Sequence, residues 1–159
     1  MKTIILDRDG VILKERGEYT FKLEDCEVLE NNIDVLQQWS SSQVDVQFFV
    51  LTNQGGIAKS LYSMNEVDAI HQMLRNAFRK KGIDITAFYI CPHHQDYGLC
   101  LCRKPKTLLF EKIVAKYQLN PKDCMMIGDK ERDTIPAKSM GMKTLLIESN
   151  ETLNISALI

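Results

Sequence analysis

Five short, almost wholly apolar runs punctuate this chain, at residues 3–6, 47–51, 87–90, 124–127 and 143–147. Each has the length of a strand but lacks the polar alternation of a sheet with one wet face. Such runs are expected in a sheet that is covered on both sides. Helical patterns fill the gaps. Ile33, Leu36 and Trp39 share one face of a helix over 32–39, and Val67, Ile70, Leu74, Ala77 and Phe78 share one face of a second. Ser63 and Glu66 have capping-box spacing before that second helix, and Gly82 is placed to end it. A third helix is expected over 107–117, halted near Pro121. A shorter fourth should begin around Asp133, with Pro136 tolerable because it lies near the start. The alternation predicts an α/β fold, a doubly wound and mainly parallel five-stranded sheet. At 159 residues, one domain spanning 1–159 is expected, with enough chain to bury a core.

In such a sheet, ligands bind outside the carboxyl ends of the strands. The first run leads into Asp7-Arg8-Asp9-Gly10-Val11, the second into Thr52-Asn53-Gln54-Gly55-Gly56, and the fourth into Gly128-Asp129-Lys130 with Asp133 close behind. Taken singly, Asp-Gly is a common turn and an Asp after a strand commonly caps a helix. Convergence of all three on one crevice is harder to explain as turn chemistry. Asp7, Asp9 and Asp129 would repel one another without a cation among them, and an all-oxygen set suits Mg²⁺. A metal-bound carboxylate can attack phosphorus, and a second carboxylate two residues along is free to protonate the leaving oxygen and then activate water. Thr52 and nearby backbone N–H groups suit the equatorial oxygens of a phosphoryl group, and a lysine would neutralise the growing charge.

The five cysteines do not pair off as a disulfide framework, since three of them crowd beside His93. Cys91, Cys100 and Cys102 with His93 make a Cys₃His set of the kind that closes a structural Zn²⁺ site, His94 being the competing imidazole. This zinc loop, 91–102, follows the third strand and runs directly into Arg103-Lys104-Pro105. A bound Zn²⁺ would stiffen it and aim Arg103 and Lys104 at the phosphate pocket. Cys26 and Cys124 have no ligand spacing, and His71 falls inside the second helix as a structural residue. Reduced, metal-binding thiols imply the cytoplasm.

Together these motifs resemble those of the haloacid dehalogenase-like (HAD) phosphatases, over residues 3–147. The resemblance implies Asp7 as nucleophile, Asp9 as general acid/base, Thr52 as the second motif, Lys104 as the third, and Gly128-Asp129 with Asp133 as the fourth. Val11 departs from the Thr that many members carry there. Only a short loop and one helix separate the first two motifs, so the large cap domain of many relatives has no room. The zinc loop followed by Arg-Lys-Pro resembles the branch of heptose bisphosphate and histidinol-phosphate phosphatases. Residues 52–59 and 91–94 are similar to the heptose form, whereas Arg103-Lys104-Pro105-Lys106 and the short gap from His93 to Cys100 are similar to the histidinol form. The heptose form is taken forward. It implies that Arg103 and Asn53-Gln54-Gly55 contact the sugar or its second phosphate, with Lys130 as a further phosphate contact.

A formal net charge of -1 offers no bulk attraction to nucleic acid or to a membrane surface. No apolar run approaches the ~18–20 residues that span a bilayer, and the apolar start is too short for a signal peptide. A monomer acting on a small phosphorylated molecule is the expected form. The competing classes are a zinc-stabilised module that binds phosphorylated ligands without turnover, a zinc-knuckle nucleic-acid binder, and a 3′-phosphatase acting on nucleic-acid ends. The first would be expected to lack Asp7 or Asp9; the others would want a basic groove.

Overall fold

The computed structural model describes residues 2–154 and Ser156, so the weakly apolar end of the tail lies outside the described residues. Its strands are β1 (Lys2–Leu6), β2 (Val46–Asn53), β3 (Ile85–Cys91), β4 (Cys124–Gly128) and β5 (Lys143–Leu146). Its helices are α1 (Glu30–Ser41), α2 (Met64–Lys80), α3 (Leu108–Tyr117) and α4 (Glu131–Ser139). Every strand pair is parallel, in the order β3-β2-β1-β4-β5. This is the expected doubly wound sheet.

Side chains alternate across it with period two. Ile4, Leu6, Phe48, Val50 and Ile127 point to one face, where Ile33, Leu36 and Trp39 of α1 and Ile70, Leu74 and Phe78 of α2 cover them. Ile5, Phe49, Leu51 and Met126 point to the other, against Leu109, Phe110 and Ile113 of α3 and Ala137 of α4. Two cores explain the unbroken apolar runs, because neither face of the central strands meets water.

The capping box of α2 is formed on both sides, Glu66 N–H donating to Ser63 Oγ at 3.4 Å and Ser63 N–H to Glu66 Oε2 at 2.7 Å. Two boundaries differ from expectation. β2 runs on to Asn53, so Thr52 and Asn53 are strand residues paired with Ile90 and Cys91 rather than loop. Helix α4 starts two residues before Asp133, because the Asp133 carboxylate accepts the N–H of Lys130 at 3.0 Å and caps the helix from within its first turn. Pro136 therefore sits deeper in α4 than its residue type suggests.

Residues 147–154, beyond β5, form a strap. Buried Asn32 donates to the carbonyls of Val11 (2.7 Å) and Glu151 (3.0 Å) and accepts the N–H of Leu153 (2.8 Å). Asn150 forms a paired hydrogen bond with the backbone of Glu15, at 2.7 and 2.9 Å, and donates its own N–H to the Gly10 carbonyl at 2.9 Å. Thus the strap fixes the segment that follows Asp9.

His71 packs where α2 meets β3, stacked on Phe88 with centroids 4.0 Å apart. Burial, with the nearby charges of Arg8 and Arg75, pushes its pKa down to about 3. The unfolded chain takes up this proton below about 6.5, the folded one only near 3, so stability should be full above that range and be lost as pH falls through it. Denaturant titrations from pH 6.5 to 4 should show wild type losing on the order of 2–3 kcal/mol more than His71→Gln. Parallel curves would show that the ring is not held neutral.

Candidate active site

The carboxyl ends of β1 and β2 open into a cleft of about 400 Å³ lined by Asp7, Asp9, Thr52, Gln54, Arg103 and Lys104, among others. At its floor lies a buried charge cluster. Lys104 Nζ donates to Asp7 Oδ1 at 2.8 Å and to the Leu51 carbonyl at 2.8 Å, and pairs with Asp133 Oδ1 at 2.7 Å. Ligand oxygens of Asp7, Asp129 and Asp133 all lie within 4.8 Å of one another. Burial pushes the Asp7 carboxyl up to about 7 against the pull of Lys104, with the charges of Asp133 and Asp9 adding to the rise. Burial alone would push the Lys104 ammonium down, but Asp7 and Asp133 outweigh it and hold the group charged.

Three buried carboxylates face one buried lysine and, at their edge, the half-exposed Lys130, so negative charge stays in excess, and the donors are all oxygen. The residues fit a small hard cation such as Mg²⁺. Both Asp133 oxygens are engaged, one by Lys104 and one by the Lys130 N–H, so Asp7 and Asp129 are the carboxylates with capacity to spare. Asp9 departs from expectation. Its carboxylate does not join the cluster but turns to Arg8, which donates through Nε at 3.1 Å and Nη2 at 2.9 Å, and to Gln54 Nε2 at 3.0 Å. Those donors hold it apart from the Asp7, Asp129 and Asp133 carboxylates. Gly10, at φ +85°, makes the turn that follows; a Cβ there would stand 2.4 Å from Asp129 Oδ2.

Two further expectations change. The Asn53 side chain is spent on the Lys104 backbone, its Oδ1 accepting the peptide N–H at 3.0 Å and its Nδ2 donating to the carbonyl at 3.1 Å. This pairing braces the lysine against β2, although Asn53 also borders the cleft. Lys130 bonds Ser149 Oγ at 2.7 Å and lies 3.2 Å from Asp129 Oδ2, so it braces that carboxylate rather than lining the cleft. Ser149 Oγ itself donates to Asp129 Oδ2 at 2.5 Å. Ser149 and Asn150 in the strap, and Arg132, Glu15, Glu18 and Tyr62 at the border of the cleft, are not marked by any of the sequence motifs. Only Arg132, beside the fourth motif, carried a positional signal.

The cysteine–histidine loop closes on itself. Cys91 Sγ lies 3.9 Å from Cys100 Sγ, 3.2 Å from Cys102 Sγ and 3.7 Å from His93 Nδ1, and His93 Nδ1 is 3.2 Å from Cys102 Sγ. A tetrahedral Zn²⁺ with thiolate ligands has edges of about 3.8 Å, so the set fits. His94, the competing imidazole, instead accepts the N–H of Asp96 at 3.3 Å. Arg103 reaches back from the cleft to donate to the His93 carbonyl at 3.0 Å, which ties loop and cleft together. Gly55 lies on the cleft wall beneath them. Cys26 is half-buried and Cys124 buried, both free thiols.

The HAD-hydrolase-like family model matches residues 101–155. A D-glycero-beta-D-manno-heptose-1,7-bisphosphate 7-phosphatase from Pseudomonas putida is 33% identical over 151 residues, covering 95% of this chain and 85% of that one. The chain belongs to the HAD-like phosphatase family. The corresponding alpha-anomer phosphatase of Photorhabdus laumondii is 34% identical over 149 residues, covering 89% and 79% of the two chains. A crystal structure of the D,D-heptose 1,7-bisphosphate phosphatase of B. bronchiseptica, complexed with magnesium and phosphate, superposes with a TM-score of 0.84 at 29% identity, covering 92% of this chain and 80% of that one. Among the described residues, no helix is long and apolar enough to cross a membrane.

If Asn53 braces Lys104 rather than the substrate, Asn53→Ala should lower kcat by about 10–100-fold while KM moves less than about threefold. A defect confined to KM would return Asn53 to substrate contact.

Proposed function

We propose that this chain is a Mg²⁺-dependent phosphatase that hydrolyses the 7-phosphate of a D-glycero-D-manno-heptose 1,7-bisphosphate through a phospho-enzyme on Asp7. The observation that carries this reading is the buried Asp7 carboxylate, held by Lys104 beside Asp129 at the floor of an open cleft. The family membership and the names of the two heptose-bisphosphate relatives support it.

Asp7 and Asp129 would hold the Mg²⁺, with Asp133 behind them. When bound, the ion supplies charge neutralisation for Asp7 and the phosphoryl oxygens. Asp7 attacks phosphorus, and a new P–O bond forms as the bond to the ester oxygen breaks. The departing alkoxide takes its proton from Asp9. A water molecule then gives a proton to Asp9 and its oxygen to phosphorus; the P–O bond to Asp7 breaks, and phosphate leaves with the carboxylate restored. Thr52 Oγ and Lys104 Nζ bear on the phosphoryl oxygens, and Lys104 keeps Asp7 oriented throughout. Arg103, whose planar fork suits a phosphate, serves the second phosphate of the substrate, and Gln54 and Gly55 border the sugar. Cys91, His93, Cys100 and Cys102 hold a structural Zn²⁺ that fixes the loop 91–102 and, through the His93 carbonyl, Arg103.

The same reading makes residues 1–159 one catalytic unit, a cytoplasmic monomer whose partner is a small phosphorylated molecule rather than nucleic acid or membrane. Reduced zinc thiolates suit that compartment. A second reading, histidinol phosphate, draws on Arg103-Lys104-Pro105-Lys106 and on the Glu15 and Glu18 rim of the cleft, which suits an ammonium group.

Phosphate release should be measured with Mg²⁺ and with EDTA across both anomers of heptose bisphosphate, histidinol phosphate and a 3′-phosphorylated oligonucleotide. A preference for a heptose bisphosphate of roughly a hundredfold, about 2.7 kcal/mol in transition-state binding, is expected. Asp7→Asn should abolish release, and the purified protein should carry one zinc per chain. Preference for histidinol phosphate would favour the second reading; no Mg²⁺-dependent release from any substrate would contradict both.

A further inference from the structure

Gln54, besides bordering the cleft, holds three side chains together. It is buried, with 3% of its surface exposed, and its backbone N–H is fixed to the Cys91 carbonyl at 2.7 Å. Its side-chain amide is engaged at both ends. Nε2 donates to Thr52 Oγ1 at 2.8 Å and to Asp9 Oδ2 at 3.0 Å, while Oε1 accepts the phenol of Tyr62 at 2.7 Å. Only this orientation lets the amide donate to Asp9 alongside Arg8; the flipped amide would set a carbonyl oxygen against the carboxylate.

Tyr62 is seated to hold that orientation. It is 7% exposed, its ring stacks on Phe21 (centroids 5.4 Å apart, planes 17° apart) and meets the edge of Tyr19 at 5.9 Å. A Cβ on Gly56 would lie 2.1 Å from Tyr62 Cε1, so the ring fills the space that only a glycine leaves. The phenol is pushed up to about 12 by burial and so stays a donor throughout the working range of pH.

We propose that Tyr62 is a positioning residue for proton transfer: through the Gln54 amide it orients the Asp9 carboxyl toward the leaving oxygen and links it to the aromatic wall of Tyr19 and Phe21. This rests on the reading of Asp9 as the general acid. Clamped between Arg8 on one side and Gln54 on the other, Asp9 loses the rotamer freedom that would let it drift to the metal carboxylates. The Tyr62 hydroxyl bonds the Gln54 amide, and it is through Gln54 that it reaches Asp9.

A proton donor matters for an alkyl leaving group and hardly at all for a nitrophenolate, which leaves as the anion. The test compares kcat/KM, which reports the steps up to leaving-group departure and not the phospho-enzyme hydrolysis common to all esters, for an alkyl monoester and for p-nitrophenyl phosphate in Tyr62→Phe, Gln54→Met, the double variant and Asp9→Ala. Tyr62→Phe keeps the stacked ring and removes one hydrogen bond, so kcat/KM for the alkyl ester should fall about fivefold with that for the aryl ester unchanged. Gln54→Met should lose more of the alkyl rate, and adding Tyr62→Phe to it should cost nothing further, since the two act in series. Equal losses on both esters, or losses that multiply in the double variant, would overturn the proposal and mark Tyr62 as packing alone. If Asp9→Ala slows both esters alike, the acid assignment fails and the proposal with it. If Asp9→Ala is selective for the alkyl ester and Tyr62→Phe is not, the acid assignment stands and only the positioning role is lost.

Discussion

Everything at the cleft floor is organised around the ammonium of Lys104. It is drawn into a site with 2% of its surface exposed, where an uncompensated charge would not survive, and Asp7, Asp133 and the Leu51 carbonyl satisfy it. Burying such ions is expensive, and removing one partner from a buried set typically costs about 3–5 kcal/mol. The fold meets this cost because the groups arrive from three directions, on β1, on α4 and on the segment after the zinc loop. The same geometry suits the proposed nucleophile: Asp7 is desolvated and held by one hydrogen bond from Lys104. Stability alone does not account for so much negative charge in the interior. The excess fits the family's chemistry.

The supports of this cluster come from far along the chain. Asn53 holds the Lys104 peptide from β2, the zinc loop delivers Arg103 and Lys104 from beyond β3, and the strap after β5 braces Asp129 through Ser149 and fixes the Asp9 turn through Asn150. A site built on strand ends and tied by paired side-chain-to-backbone bonds keeps its geometry without a covering domain. The Asp7 and Asp9 side chains are held apart by separate partners, Lys104 for one and Arg8 with Gln54 for the other.

The architecture was readable in advance because its signals are local and repeated. Apolar runs of strand length reported a sheet covered on both faces, and Ser63 with Glu66 reported a helix start. Asp7, Asp129, Lys104 and the Cys₃His set were legible because their residue types and spacing are chemical statements in themselves. What escaped was the direction of polar side chains. Nothing in the sequence around Asp9 says that Arg8 and Gln54 would draw it off the metal carboxylates, or that Asn53 would serve a backbone rather than a ligand. Those outcomes depend on which donors the fold brings within about 3 Å, a long-range property. The strap was opaque for the same reason, since Ser149 and Asn150 are ordinary loop residues until the sheet places them beside Asp129 and Gly10.

The central claim is that Asp7 carries the phosphoryl group between the two half-reactions. Acid-quenching the enzyme during turnover with substrate and Mg²⁺, followed by peptide mass spectrometry, tests it directly. The account predicts that the peptide containing Asp7 gains the mass of one phosphoryl group, on Asp7 itself, only when both substrate and Mg²⁺ are present. Full turnover with a phosphoryl group on another residue, or with none trapped under conditions where release from the enzyme is rate-limiting, would contradict it.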